Sequence, residues 1–233
     1  MPPSPDRPIV VAIDGPAASG KSSTAQWVAK ELGFRHVDSG ALYRAAAAVA
    51  LRSCGPVEGW RAEEIVQAAR RIRLEPQDTS FVPLLDGEDL SDEIRGSAVT
   101  GVVPRVAQMD LVRRWVNEQV RDVGRRYDVV VDGRDMGTAV FPAAQVKIFL
   151  VADPSERARR RLIQRLSRRP SDDEIAAEVG LLVSRDQADA LQTVAADDSV
   201  RIDTTTLTQA DQVEQIVGLV RARTGSGTQF AGE

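Results

Sequence analysis

An α/β fold with a parallel central sheet, covered by helices on both faces, is what this sequence predicts, and three observations predict it. Short apolar runs bounded by Gly, Pro or Asp alternate along the chain with longer stretches of helical periodicity. The runs at 9–14, 128–132 and 146–151 are apolar almost throughout, the pattern of parallel strands buried on both sides. The 233 residues, 42% hydrophobic and 27% charged, suffice for one globular unit with an elaboration and exclude collagen-like, low-complexity and wholly disordered chains.

The first strand is expected at 9–14, between Pro8 and Gly15. It runs into Gly15-Pro16-Ala17-Ala18-Ser19-Gly20-Lys21-Ser22 and then a helix over 23–32 that Gly33 stops. A second short strand is expected at 34–38, an Ala-rich helix at 41–52 and another helix at 60–73. Between Ile72 and Leu90 the apolar pieces are broken by Pro76, Asp78, Pro83 and Asp86-Gly87, which predicts a small strand-rich insertion. Helical periodicity returns over 108–126, where Met109, Val112, Val116 and Val120 share a face. Strands at 128–132 and 146–151 follow. Cap chemistry predicts three helix starts: Asp153 with Pro154 and Glu156, Ser171 with Glu174, and Thr208 with Asp211. In each, a side-chain oxygen accepts a backbone N–H and the acidic group reaches back to the cap. The last strand is expected at 200–203 and the last helix at 209–223, with 224–233 frayed.

Net charge is −4 and the pI near 5.3, so there is no global attraction to nucleic acid. No apolar run approaches the roughly 20 residues of a membrane helix, and residues 1–8 lack the apolar core of a secretory leader, so no membrane association and a cytoplasmic location are expected. A single cysteine, Cys54, excludes an internal disulfide framework, and with one histidine, His36, there are too few soft ligands for zinc. Of 30 basic residues only three are lysine: Lys21, Lys30 and Lys147. A lysine kept where arginine prevails asks what a guanidinium could not do there.

Gly15 to Ser22 satisfies G-x-x-x-x-G-K-S, with a strand before and a helix after. Small residues let the backbone N–H groups of Gly15, Ala17, Ala18, Ser19, Gly20 and the following Ser22 and Ser23 converge on phosphate oxygens at a helix N-terminus. Lys21 carries a compact charge on a thin stem that reaches between β and γ phosphates, and Ser22 offers an oxygen to Mg²⁺. Asp132, ending an apolar strand, is the second candidate metal ligand; the competing reading is a solvated strand-end aspartate. Arg134 and Asp135 follow at the carboxyl edge of the sheet, where open α/β folds bind ligands. Seven arginines crowd 157–169, with Arg157, Arg160, Arg161 and Arg165 sharing a broad helical face. Like charges about 4 Å apart repel by roughly 4 kcal/mol at an effective dielectric near 20, so polyphosphate is a sensible counter-charge. A solvated basic face paired with acidic neighbours is the alternative, and RNA binding a second one, though no aromatics are interleaved. Arg44, Arg113 and Arg185 stand apart on other elements. No general base is needed if the acceptor is a phosphomonoester, already largely a dianion at neutral pH; what such a transfer needs is charge compensation and alignment.

The chain resembles bacterial cytidylate kinases over residues 9–223. The resemblance is carried by Ile13-Asp14-Gly15-Pro16, by Asp38-Ser39-Gly40-Ala41-Leu42-Tyr43-Arg44, by the segment from Gly87 to Arg95, by Asp132-Gly133-Arg134-Asp135-Met136-Gly137-Thr138-Ala139-Val140-Phe141-Pro142, and by Val146-Lys147-Ile148-Phe149-Leu150. It implies a three-layer P-loop fold forming a single domain over 1–223: a core of 9–58, 98–155 and 184–223, an acceptor-binding insertion at 59–97 and an Arg-rich lid at 156–183. It implies transfer from ATP, with Mg²⁺, to CMP or dCMP in pyrimidine nucleotide metabolism, by a monomer that takes small nucleotides and no nucleic acid. By resemblance Ser39, Tyr43, Arg44 and Arg134 surround the acceptor phosphate. Arg113 and Asp135 read the cytosine edge, and Arg185 and Asp189 lie by the sugar and phosphate. Arg157, Arg160 and Arg161 belong to the lid, with Lys21, Arg134, Arg157 and Arg161 acting on the transferred group. Two departures stand out: Pro104 replaces a serine that helps hold the base, and Gln192 replaces an arginine after Asp189. Arg105 is the candidate to compensate. A kinase of the same fold acting on UMP or another monophosphate, and a non-catalytic ATP-dependent RNA-binding module, are the rival readings.

Overall fold

The computed structural model describes residues 7–225. In chain order it contains β1 (Val10–Asp14), α1 (Lys21–Leu32), β2 (Arg35–Asp38), α2 (Ser39–Ser53), α3 (Ala62–Ala69), β3 (Ile72–Pro76), β4 (Phe81–Leu85), β5 (Glu88–Asp89), α4 (Ser97–Ala107) and α5 (Asp110–Gly124). There follow β6 (Val129–Asp132), a π-helical turn at Met136–Val140, β7 (Val146–Val151), α6 (Pro154–Leu166), α7 (Asp172–Ala188), β8 (Val200–Asp203) and α8 (Gln209–Thr224). The main sheet has the order β2-β6-β1-β7-β8 with every pairing parallel. Thr224, the first residue of the stretch expected to fray, is the last residue of α8, which Gly225 caps; residues 226–233 lie outside the described residues. Among the described residues no helix is long and apolar enough to cross a membrane.

Period-two alternation of the strand side chains builds the layers. Val10, Ala12, Val129 and Val131 face a core shared with α2, α3, α4 and α5, whereas Val11, Ile13, Val130, Ile148 and Leu150 face α1 and α8. Apolar residues therefore fill β1, β6 and β7 apart from Asp14 and Asp132 at their carboxyl ends and Lys147, because both faces are covered.

The insertion is an antiparallel sheet, β3-β4-β5. Its turn docks on the edge of the main sheet: the His36 N–H donates to the Thr79 carbonyl at 2.9 Å and Arg35 Nε to that of Gln77 at 2.9 Å. The helix expected over 60–73 is shorter, because Ile72 pairs with Leu85 in β3 and is buried there; strand pairing overrides helical propensity. Helix α4 is absent from the sequence reading, since its valines and Pro104 mask a periodicity that buries Val99, Val103 and Val106.

The helix caps divide. Ser171/Glu174 and Thr208/Asp211 form complete capping boxes. Asp153 accepts from the Ser155 and Glu156 N–H groups, but Glu156 does not reach back; it turns to Arg159 and Arg160, whose charges outbid a neutral amide.

Gly15 fixes how the loop after β1 leaves the sheet. Its φ is +148°, and a Cβ there would lie 2.1 Å from the Leu150 carbonyl oxygen of β7. Gly15→Ala combines backbone strain with a backbone overlap and is expected to destabilise the protein by about 3 kcal/mol or more, measured by urea denaturation.

Candidate active site

All five parallel strands deliver their carboxyl ends to one rim, where open α/β sheets bind ligands. After β1 comes the glycine-rich loop. Positive φ angles at Gly15, Ala18 and Gly20 curl it so that successive N–H groups can converge on an anion. Lys21 folds back over the loop, its Nζ donating to the Pro16 carbonyl at 2.6 Å and to Ser19 Oγ at 3.3 Å. Burial, and next the charge of Arg134, lower its pKa well below that of a free lysine, while Asp132 and Asp14 oppose the shift. Ser23 Oγ donates to the Gly20 carbonyl. Beside Gly20, Ser23 and Thr24 lies an open hollow of about 390 Å³, closed by Arg160 of α6 and by Leu207 and Gln212 at the start of α8.

Ser22 Oγ donates to Asp132 Oδ2 at 2.6 Å, so the two candidate metal ligands, from α1 and β6, do meet. The other carboxylate oxygen, Oδ1, is 2.7 Å from His36 Nε2. Burial alone would raise the Asp132 carboxyl, but the hydrogen bonds from His36 and Ser22 and the Lys21 charge hold it below the ordinary value. Burial pulls the His36 imidazole down, and the Asp132 contact outweighs it and raises it. Ser39 turns inward, donating its hydroxyl to the Asp132 carbonyl at 2.7 Å; it braces this cluster rather than opening onto the rim.

The acceptor candidates gather beside this cluster. Arg113 Nη2 is 2.5 Å from Asp135 Oδ2, and its guanidinium lies 6.0 Å from the Tyr43 ring. The Tyr43 hydroxyl is buried without a hydrogen-bond partner among the described residues, and burial pushes its pKa up to about 12. Arg44 donates to Thr100 Oγ1 at 3.0 Å and to the Ile94 carbonyl at 3.3 Å, which ties it to α4. Arg134 and Arg185 share one carboxylate, Asp189 Oδ2, at 3.3 and 3.9 Å, so this corner keeps a net positive charge. Arg105 donates to the Glu58 carbonyl at 3.0 Å.

Within the protein, acidic neighbours supply counter-charge to the basic stretch of α6. Arg161 and Arg165 both pair with the buried Glu178 of α7, at 3.0 and 3.2 Å, and Arg168 pairs with Glu174. Arg160 binds Glu156 and the Thr204 carbonyl. Only Arg157 turns to the loop, donating to the Ala17 carbonyl at 2.9 Å and pairing with Asp186 at 2.7 Å. Asp186 in turn accepts from the Ala17 N–H at 3.2 Å.

Four residues that the sequence reading left without a role organise these groups: His36, Asp186, Lys147 and Asp14. Lys147 passes its stem beside Gly137 and donates to the Pro142 carbonyl at 2.5 Å and to Asp198. A thin stem fits where the wider guanidinium would meet backbone, which answers the question its retention raised. Asp14, 4% exposed, accepts from the Met136 and Gly137 N–H groups at 2.9 and 2.7 Å. Its position at the end of an apolar strand was a visible signal for a buried carboxylate.

Burial above all raises the Asp14 pKa to about 6, with Asp135 adding to it and the two amides and Lys21 opposing. A carboxyl pKa raised on folding contributes stability that is full below the unfolded value and lost as the pH rises through the folded one. A displacement of about two pH units is worth roughly 3 kcal/mol. The stability of the native protein relative to Asp14→Asn is therefore expected to increase between pH 7 and pH 4.5, by about 2 kcal/mol of that amount. Paired guanidinium denaturation curves at the two pH values check both sign and size.

Comparison with known proteins gives consistent matches. The family model for cytidylate kinase matches residues 11–222. A cytidylate kinase of Solibacter usitatus is 42% identical over 230 residues, covering 96% of this chain and 97% of the relative. One from Salinibacter ruber is 40% identical, covering 94% and 100%. One from Geobacillus kaustophilus is 42% identical, covering 94% and 99%.

Proposed function

The chain belongs to the cytidylate kinase family, and on that premise we propose that it transfers the γ-phosphoryl group of ATP to CMP or dCMP, yielding CDP or dCDP. One observation carries the reading beyond a generic P-loop: β1 and β6 are neighbours, so the phosphate-binding loop stands directly beside the Arg134–Asp135 segment and its Arg113 partner.

The loop N–H groups and Lys21 hold the donor phosphates, and the hollow beside Gly20, Ser23 and Arg160 takes the adenine. Ser22 and Asp132 suit Mg²⁺: two hard oxygens already in contact, one on a carboxylate kept ionised, match an ion that takes one or two protein ligands and completes its shell with phosphate and water. When bound there, it neutralises charge on the β and γ phosphates. Asp135 accepts from the exocyclic amine of cytosine, and Arg113 orients that carboxylate and faces the base. Arg134, Arg44 and Arg185 receive the acceptor phosphate, with Tyr43 lining its approach and Asp189 fixing the arginines and the sugar. Arg157 and Arg161 compensate the migrating group, and closure of the α6–α7 hairpin excludes water as a competing acceptor. No side chain has to take a proton, because the attacking oxygen belongs to a phosphate dianion.

A UMP kinase would place the uracil carbonyl against Asp135, acceptor against acceptor, which disfavours it. The RNA-binding reading is not favoured by the family match, and Arg160, Arg161 and Arg165 of α6 pair with Glu156 and Glu178.

Lys21→Ala and Arg134→Ala are each expected to lower kcat/KM by about 10²-fold or more with the fold retained. ADP release measured against CMP, dCMP, UMP and AMP tests the assignment, and equal rates with all four would overturn it.

A further inference from the structure

The donor loop and the acceptor-reading segment leave adjacent strands, and one side chain ties them together. Asp14 is the last residue of β1, directly before Gly15. Its two carboxylate oxygens each accept one of two consecutive amides, Met136 N–H and Gly137 N–H, in the turn that follows Asp135. The same turn is closed by the Ala139 and Val140 N–H groups donating to the Asp135 carbonyl, at 2.8 and 3.2 Å. Gly137 is tightly enclosed: a Cβ would fall 3.3 Å from both Asp14 Oδ2 and the Lys147 stem, so one of them must give by a few tenths of an ångström. The far end of the segment is held by Lys147 at Pro142. Position, burial and both oxygen contacts thus make Asp14 the near anchor of residues 133–138.

We infer that Asp14 is a positioning residue for the acceptor base: it touches neither nucleotide, yet its carboxylate sets the segment on which Arg134 and Asp135 are mounted. The inference rests on the functional reading above. A forked pair of acceptors is what two parallel N–H donors require. Asparagine offers one acceptor and turns an N–H against the other donor, which leaves one amide unpartnered and lets the turn shift. A shift near 1 Å at a recognition group weakens alignment by a large factor. The carboxylate is also expensive to keep. Burial opposes its charge, Asp135 faces it with like charge, and Lys21 is the opposing cation, so stability by itself would favour a neutral residue here.

The test uses two variants of the full chain, Asp14→Asn and Gly137→Ala; the second keeps the carboxylate and crowds its approach together with the Lys147 stem. The expected result is a KM for CMP raised about tenfold in both, and a CMP-over-UMP ratio of kcat/KM lowered by a similar factor. The calorimetric Kd for ATP should stay within about twofold of the native value, since the donor loop follows Gly15 and its own contacts remain. A KM for CMP within twofold of native in both variants, or matched losses of ATP and CMP affinity, would overturn the inference. Should Asp14→Asn fail to fold by circular dichroism, Gly137→Ala decides. If the native enzyme releases no ADP with CMP, it is the functional reading that fails, and the two failures are told apart by that control.

Discussion

Charge balance at the carboxyl rim of a five-stranded parallel sheet is the constraint on which the rest of this protein depends. Parallel pairing brings the ends of β1, β6 and β7 within adjacent-strand distance, so whatever polar residues terminate them must coexist in one small volume. Asp14 and Asp132 terminate β1 and β6, Asp38 terminates the neighbouring β2, and Lys21, Arg134 and Arg185 stand among them. Each ionised group is acceptable only because a neighbour of opposite sign or a pair of amides compensates it. The perturbed titration of this cluster follows from crowding charged groups where water is scarce.

The same logic explains the basic hairpin of α6 and α7. Seven arginines in a short stretch would repel one another, and Glu156, Glu174, Glu178 and Asp186 neutralise most of that repulsion from within. An arginine already seated on a carboxylate is held in a defined place. Asp186, bonded both to Arg157 and to the Ala17 amide, links hairpin and loop through a single carboxylate.

Much of the site was legible in the sequence because its chemistry is local. The loop from Gly15 to Ser22 needs small residues and one lysine at set spacing, and the segment from Asp132 to Pro142 together with that from Gly87 to Arg95 marks a family. The donor and acceptor groups it names do gather on the rim, although Ser39 and Arg44 spend their hydrogen bonds on neighbouring backbone and on Thr100. What escaped was partnership. Glu178 and Asp186 look like ordinary helix acids, and helix α4 was hidden by valines that favour strands in isolation.

Short apolar strands, glycine punctuation and capping residues determined the layers and their order, because each acts over a few bonds and needs no distant partner. Only the tertiary structure decided which carboxylate faces which cation. His36 meets Asp132 across 96 positions of chain and Asp14 meets Gly137 across 123. Such contacts arise when strand register and helix packing bring remote segments together, and nothing in the local pattern of either residue records the other.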